Sequence, residues 1–213
     1  MIRWFYYVAR TIVIIALRLF THWQIKGREN VPSQGALLIV ANHLNLADPP
    51  LVSVSLKRKV IFMAKEELFR SRFIGYFISS FGAFPVHRGR LDREALRQAD
   101  KLLTEGVALA MFPEATRSKN AQLQRAFPGS ALIALRHGVP ILPVAITGTE
   151  RIKGLSWMLH RPRIIITFGQ PFHLPSVDGR PSKEQLTELT SFMMGHIAEL
   201  LPVKYHGYYV KQG

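Results

Sequence analysis

The segment Ala41-Asn42-His43-Leu44-Asn45-Leu46-Ala47-Asp48-Pro49-Pro50 sets a histidine and an aspartate five residues apart, between an apolar run and two prolines. On a regular helix five residues turn the chain by about 500°, leaving the two side chains about 140° apart, so they meet only if the segment is a turn. Two uses of the pair are open. In one, Asp48 is the N-cap of a helix whose first position is Pro49, and His43 is an idle loop residue. In the other, the aspartate accepts the proton of one imidazole nitrogen, fixes the tautomer and favours the imidazolium, while the second nitrogen takes a proton from a hydroxyl. The chain has no cysteine and no Gly-x-Ser-x-Gly elbow, so the hydroxyl to be activated is the substrate's rather than the protein's.

Two further segments carry functional residue types. Val86-His87-Arg88-Gly89-Arg90 and Phe112-Pro113-Glu114-Ala115-Thr116-Arg117-Ser118 each follow a short apolar run. The guanidinium forks of Arg88, Arg90 and Arg117 suit bidentate binding of a phosphate, and Gly89 permits close approach of the backbone. The alternatives are solvated surface arginines and, for Glu114, a carboxylate at a helix start; spacing does not separate them. Lys65 follows another apolar run and is a weaker candidate of the same kind. The eight histidines are scattered without metal-site spacing, and no phosphate-binding glycine-rich loop of the Walker or dinucleotide type occurs, so no metal or bound cofactor is expected.

The elements that must position these residues are legible as alternating periodicities. Residues 36–41, 60–64, 83–86, 107–112, 141–147 and 163–168 read as strands, several so apolar that both faces must be buried. Helices are expected over 49–56, 68–81, 92–105, 129–136 and 182–201, the last opened by the capping-box pair Ser182 and Gln185. Alternating strands and helices imply an α/β domain with a mostly parallel sheet flanked by helices. In such sheets sites gather beyond the carboxyl ends of the strands, where all three segments fall. The stretch 173–182 reads as a surface loop.

The 213 residues suffice for one core. With 28 Lys and Arg against 14 Asp and Glu, the net charge of +14 calls for a polyanionic partner: nucleic acid, an anionic membrane or a phosphorylated substrate. No nucleic-acid-binding motif accompanies the charge, so no nucleic acid is expected. The first 27 residues point instead to a membrane. Arg3, Arg10 and Arg18 interrupt the apolar run, leaving no clean span, and no cleavage site marks a signal peptide. On a helix the three arginines share a sector of about 80°, with Trp4, Phe5, Val8, Ile12, Ile15 and Leu19 on the other faces. This predicts a monotopic anchor, residues 1–27, whose arginines face lipid phosphates, followed by a catalytic domain, residues 28–213. A helix packed on the protein's own core is the competing reading.

Taken in order, Asn42–Asp48 (N-H-x-x-x-x-D), Phe84–Gly89, Phe112–Ser118 (F-P-E-x-T-R-S) and Val139–Val144 (V-P-I-L-P-V), with Phe62–Phe69 between the first two, resemble the PlsC-type glycerolipid acyltransferases. The resemblance covers roughly residues 25 to 170. It implies transfer of a fatty acyl group from acyl-CoA or acyl-carrier protein to the free hydroxyl of a lysophospholipid, lysophosphatidate foremost, with no acyl-enzyme. The related acceptor glycerol 3-phosphate is the alternative, and a non-catalytic basic membrane-binding module is the alternative of another class. It further implies His43 as base and Asp48 as its partner, Arg88 and Gly89 in a phosphate-binding segment, and Glu114 and Arg117 in acceptor binding. Asn42, Lys65 and Thr116 join the substrate-binding set, and Pro140 and Pro143 shape the last motif. The expected location is the cytoplasmic face of the inner membrane. Three positions depart from the family pattern: Ala115 replaces a usual glycine, His87 a polar or acidic residue, and Phe127-Pro128 stands where a lysine often precedes the glycine matching Gly129.

Overall fold

The computed structural model describes residues 3–86 and 93–210. Seven strands form one sheet: β1 (His22–Lys26), β2 (Leu37–Ala41), β3 (Val60–Lys65), β4 (Phe84–Val86), β5 (Ala108–Met111), β6 (Ile141–Thr147) and β7 (Arg163–Phe168). Their spatial order is β1-β7-β6-β2-β5-β3-β4. Every neighbouring pair is parallel except β6 and β7, where Val144 faces Phe168 and Thr147 faces Ile165. The expected mostly parallel α/β sheet is therefore present, with one antiparallel step near an edge.

β2 lies at the centre and explains why. All five of its residues are buried, and alternate side chains enter different cores. Leu37, Ile39 and Ala41 join the core under α1 (Arg3–Phe20) and α2 (Asp48–Ser55). Leu38 and Val40 join the core under α4 (Arg93–Thr104), α5 (Gly129–His137) and α7 (Lys183–Leu200). α3 (Arg72–Ser80) leads into β4 beside α1. The short α6 (Trp157–His160) sits between β6 and β7. The capping box at Ser182 and Gln185 forms as expected, with both reciprocal bonds present.

Two expectations about the N-terminus need correction. Residues 22–26 do not belong to an anchor segment; they are strand β1, paired in register with β7 from His22–Arg163 to Lys26–Thr167. Its side chains alternate between exposed and half-buried, a weaker signal than the doubly buried strands. Nor does Arg10 take the outward, lipid-facing place expected of it. Arg10 turns inward, and its guanidinium donates to the carbonyls of Ser53 at 2.8 Å, Val54 at 3.0 Å and Leu56 at 2.9 Å. The last turn of a helix leaves carbonyls without internal donors and carries partial negative charge, so a cation there is doubly favoured. Ala9 and Leu17 are buried on the same side, while Val8, Ile12, Ile15, Arg18 and Leu19 remain exposed. α1 is thus apolar on both faces, one of them packed on the core. No helix among the described residues is long and apolar enough to cross a membrane.

Candidate active site

β2 and β5 are neighbours, so the loops beyond their carboxyl ends meet. Asn42 opens the first loop by extending the sheet with its side chain: Nδ2 donates to the carbonyl of Ile146 at 2.9 Å, and Oδ1 accepts from the amide of Ile146 at 2.7 Å. Next, His43 is clamped from the β5 loop on both sides. Its amide donates to Glu114 Oε1 at 2.9 Å, and its carbonyl accepts from the Ser118 amide at 2.8 Å. The imidazole stacks on Phe112, ring centres 4.2 Å apart and planes 25° from parallel. Backbone and ring are held before any substrate arrives.

Asp48 closes the loop. Its Oδ2 accepts from His43 Nδ1 at 2.9 Å, from the Leu44 amide at 2.6 Å and from the Asn45 amide at 2.7 Å. The segment is a turn, and the histidine and aspartate touch. Asp48 is not the N-cap; that position is Ala47, without a side-chain cap bond, and Asp48 is the first residue of α2. Its carboxylate reaches back over the turn instead of forward onto the helix, because three N–H groups converge on it there. Nδ1 of the ring thus faces the carboxylate, a placement in which Nε2 can serve as a proton acceptor. Asp48 Oδ1 is buried and has no partner among the described residues. On the far side of the loop, Asn45 Nδ2 donates to the Ile152 carbonyl at 3.0 Å, joining it to the turn after β6.

Glu114 is 1% exposed, and both oxygens are committed to backbone: Oε1 to His43, Oε2 to the amide of Gln124 at 2.7 Å. Burial pushes its carboxyl up to about 7, against the pull of those two amides, and the negative Asp48 nearby adds to the rise. Glu114 and Asn42 therefore stand behind the histidine as struts, both side chains buried and bonded to backbone. The other predicted residues divide by place. Thr116 and Arg117 are exposed on the β5 loop, and Lys65 ends β3 half-exposed, paired with Glu67 at 3.0 Å. Arg88 and Gly89, with His87 and Arg90, lie outside the described residues.

One support was invisible in the spacing. The carboxyl-terminal tail clasps the stretch that carries Gln124. The Leu123 amide donates to the Tyr205 carbonyl at 2.8 Å, the Tyr208 amide to the Leu123 carbonyl at 3.0 Å, and the Ala126 amide to Tyr209 Oη at 3.0 Å. Tyr205 Oη donates to Glu150 Oε1 at 2.8 Å; burial, aided by that carboxylate, pushes the phenol up to about 12, so it stays a donor across the working pH range. Gly207 sits between with φ +49°, and a Cβ there would lie 2.5 Å from the Leu123 carbonyl oxygen. A continuous set of contacts thus runs from the tail through Leu123 and Gln124 to Glu114 and His43.

Chemically, the centre is a buried imidazole oriented through Nδ1 by a buried carboxylate. The profile of the Acyltransferase family matches residues 22–147. The chain is 31% identical to the 1-acyl-sn-glycerol-3-phosphate acyltransferase of Bacillus subtilis over 83% of its own length and 87% of the relative's. It is 33% identical to the enzyme of that name from Streptococcus pneumoniae, over 82% of its length and 65% of the relative's. The crystal structure of the 1-acyl-sn-glycerophosphate acyltransferase PlsC from Thermotoga maritima superposes with a TM-score of 0.68 at 28% identity, covering 92% of this chain and 79% of that one. With the four ordered motifs, the strand order that brings the first and third together and relatives of this similarity, the chain belongs to the PlsC-type glycerolipid acyltransferase family.

Proposed function

We propose that the protein transfers a fatty acyl group from acyl-CoA or acyl-carrier protein to the sn-2 hydroxyl of lysophosphatidate, giving phosphatidate, at the cytoplasmic face of an anionic inner membrane. The observation that carries this reading is the 2.9 Å contact between His43 Nδ1 and Asp48 Oδ2. Nε2 removes the proton of the acceptor hydroxyl as its oxygen attacks the thioester carbon. The tetrahedral intermediate then collapses, the carbon–sulfur bond breaks, and the thiolate recovers the proton from the imidazolium. Asp48, held against Nδ1, stabilises that imidazolium. A thioester is reactive enough that orienting the hydroxyl supplies much of the remaining acceleration. The acceptor is read from the names of the relatives, and exposed Arg117, with Lys65 and the Arg88-Gly89 segment, supplies cations and backbone suited to its phosphate.

The test is an acceptor panel with purified protein: lysophosphatidate, glycerol 3-phosphate and other lysophospholipids, each with acyl-CoA and with acyl-carrier protein. Lysophosphatidate is expected to be acylated fastest. His43→Ala is expected to lower kcat by about 10²–10⁴-fold, the usual share of general-base catalysis, with the circular dichroism spectrum unchanged. Failure to acylate any lysolipid with either donor, or full activity of His43→Ala, would overturn the reading.

A further inference from the structure

The connection between β6 and β7 is longer than a strand-to-strand turn needs, and it projects from the edge of the sheet that carries His43. β6 ends at that edge and the antiparallel β7 begins there. The connection starts with the single turn Thr149–Arg151 and contains α6. Two of its side chains contradict a location in plain solvent: Leu155 is 79% and Leu159 87% exposed. Leu159 lies in α6, and Leu155 sits in the turn just before it, its carbonyl accepting from the Met158 amide at 3.3 Å. Around them stand Arg151, Lys153, His160 and Arg161, all exposed, and residues 151–163 contain no acidic residue. A shallow cavity lined by Arg151, Lys153, Ser156, Trp157 and His160 opens beside the leucines.

The segment is not adrift. Trp157 packs edge-to-face on Phe20 at the end of α1, ring centres 6.2 Å apart. At its other end the Ile152 carbonyl accepts from Asn45 of the catalytic loop. The exposed leucines therefore stand beside the end of α1, whose outer face exposes Val8, Ile12, Ile15 and Leu19, and are tied by one hydrogen bond to the loop that holds His43 and Asp48.

We propose that residues 151–161 form a second membrane-contacting element, in which Leu155 and Leu159 enter the headgroup–acyl boundary of an anionic leaflet while Arg151, Lys153 and Arg161 meet lipid phosphates. Apolar tips ringed by cations are the composition that partitions into such an interface, and a tryptophan at the boundary suits it. A second copy of the chain is the poorer occupant. A two-fold contact would set this acid-free basic segment against itself, and like charges would face one another. Seating this element together with α1 presses the His43 edge of the sheet onto the surface from which a lysolipid acceptor is drawn. The inference rests on the proposed lysolipid acceptor.

The test compares the full-length protein with L155S/L159S and, separately, I12S/I15S, using phosphatidylcholine vesicles with and without phosphatidylglycerol. Activity is measured on long-chain lysophosphatidate in the vesicles and on a short-chain lysophosphatidate dispersed as monomers. Both leucines are solvent-exposed and outside the catalytic centre, so the melting temperature of L155S/L159S is expected to match the wild type. The expected result is about tenfold weaker partition onto anionic vesicles, a matching fall in activity on the vesicle-borne acceptor, and an unchanged rate on the monomeric one. Wild-type partition and vesicle activity in L155S/L159S would overturn the inference, as would loss of a solution dimer with vesicle binding intact. Should the wild-type protein acylate neither form of the acceptor, it is the function proposed above that fails. If it acylates both and L155S/L159S matches it on vesicles, only this second element fails.

Discussion

Glu114 shows how far a residue's type can mislead about its place. A glutamate in a motif beyond a strand invites a role in binding a polar substrate, yet here both oxygens hold backbone amides and the side chain is sealed from solvent. In the proposed mechanism its effect runs through the position of His43. The same burial makes it a source of pH-dependent stability. Its folded-state value is raised from 4.5 to about 7, so the fold favours the neutral form. The stability it contributes is fully present below about 4.5 and is lost as pH rises through about 7. Glu114→Gln does not titrate. The stability of the wild type relative to Glu114→Gln should therefore decline between about pH 5 and pH 8, by up to about 3 kcal/mol. Denaturant unfolding of both proteins across that range checks this, and a difference that does not vary with pH would count against the assignment.

At the scale of elements, the site is two loops and a tail. Adjacency of β2 and β5 brings the loops together, and the side chain of Asn42 locks the first to β6. The tail then pins the second loop where it bears on Glu114. Gly207 is the position most sensitive to change in that clasp. Gly207→Ala places a Cβ against the Leu123 carbonyl and strains a left-handed backbone, for a loss of roughly 1–3 kcal/mol. The expected outcome is a lower melting temperature together with a several-fold lower kcat. Tyr209→Phe removes only the acceptor of the Ala126 amide and should give a smaller change in the same direction. Wild-type kcat in Gly207→Ala despite a lowered melting temperature would show that the tail stabilises the fold without positioning the histidine.

The whole molecule carries a net charge of +14 and exposes apolar side chains along α1 and at Leu155 and Leu159, beside the end of α1. Charge and apolar contact respond differently to salt. Between about 0.1 M and about 1 M salt the Debye length shrinks from about 10 Å to about 3 Å, so attraction to lipid phosphates is largely screened while apolar insertion is not. Sedimentation with vesicles containing phosphatidylglycerol is expected to weaken about tenfold or more over that range, leaving a residual bound fraction. Binding without any dependence on salt or on anionic lipid would remove charge from the proposed membrane contact.

Much of this architecture was written in the amino-acid order. Six strands and five helices, the mostly parallel sheet and the grouping of motifs beyond strand ends follow from apolar runs and helical periodicity, which are local properties of the chain. The histidine and aspartate were legible as a pair, but their contact was not, because five residues of sequence do not say whether a turn folds back. Edge strand β1 escaped because a strand exposed on alternate residues next to an apolar helix reads as more of that helix. The inward place of Arg10 is not legible locally, because its partners, the carbonyls at the end of α2, lie more than forty residues away and are backbone atoms. The inward roles of Asn42 and Glu114 and the grip of the tail belong to the same class. Each is a bond between a side chain or loop and a distant main-chain group, and only the folded chain decides which main-chain groups are left to be satisfied.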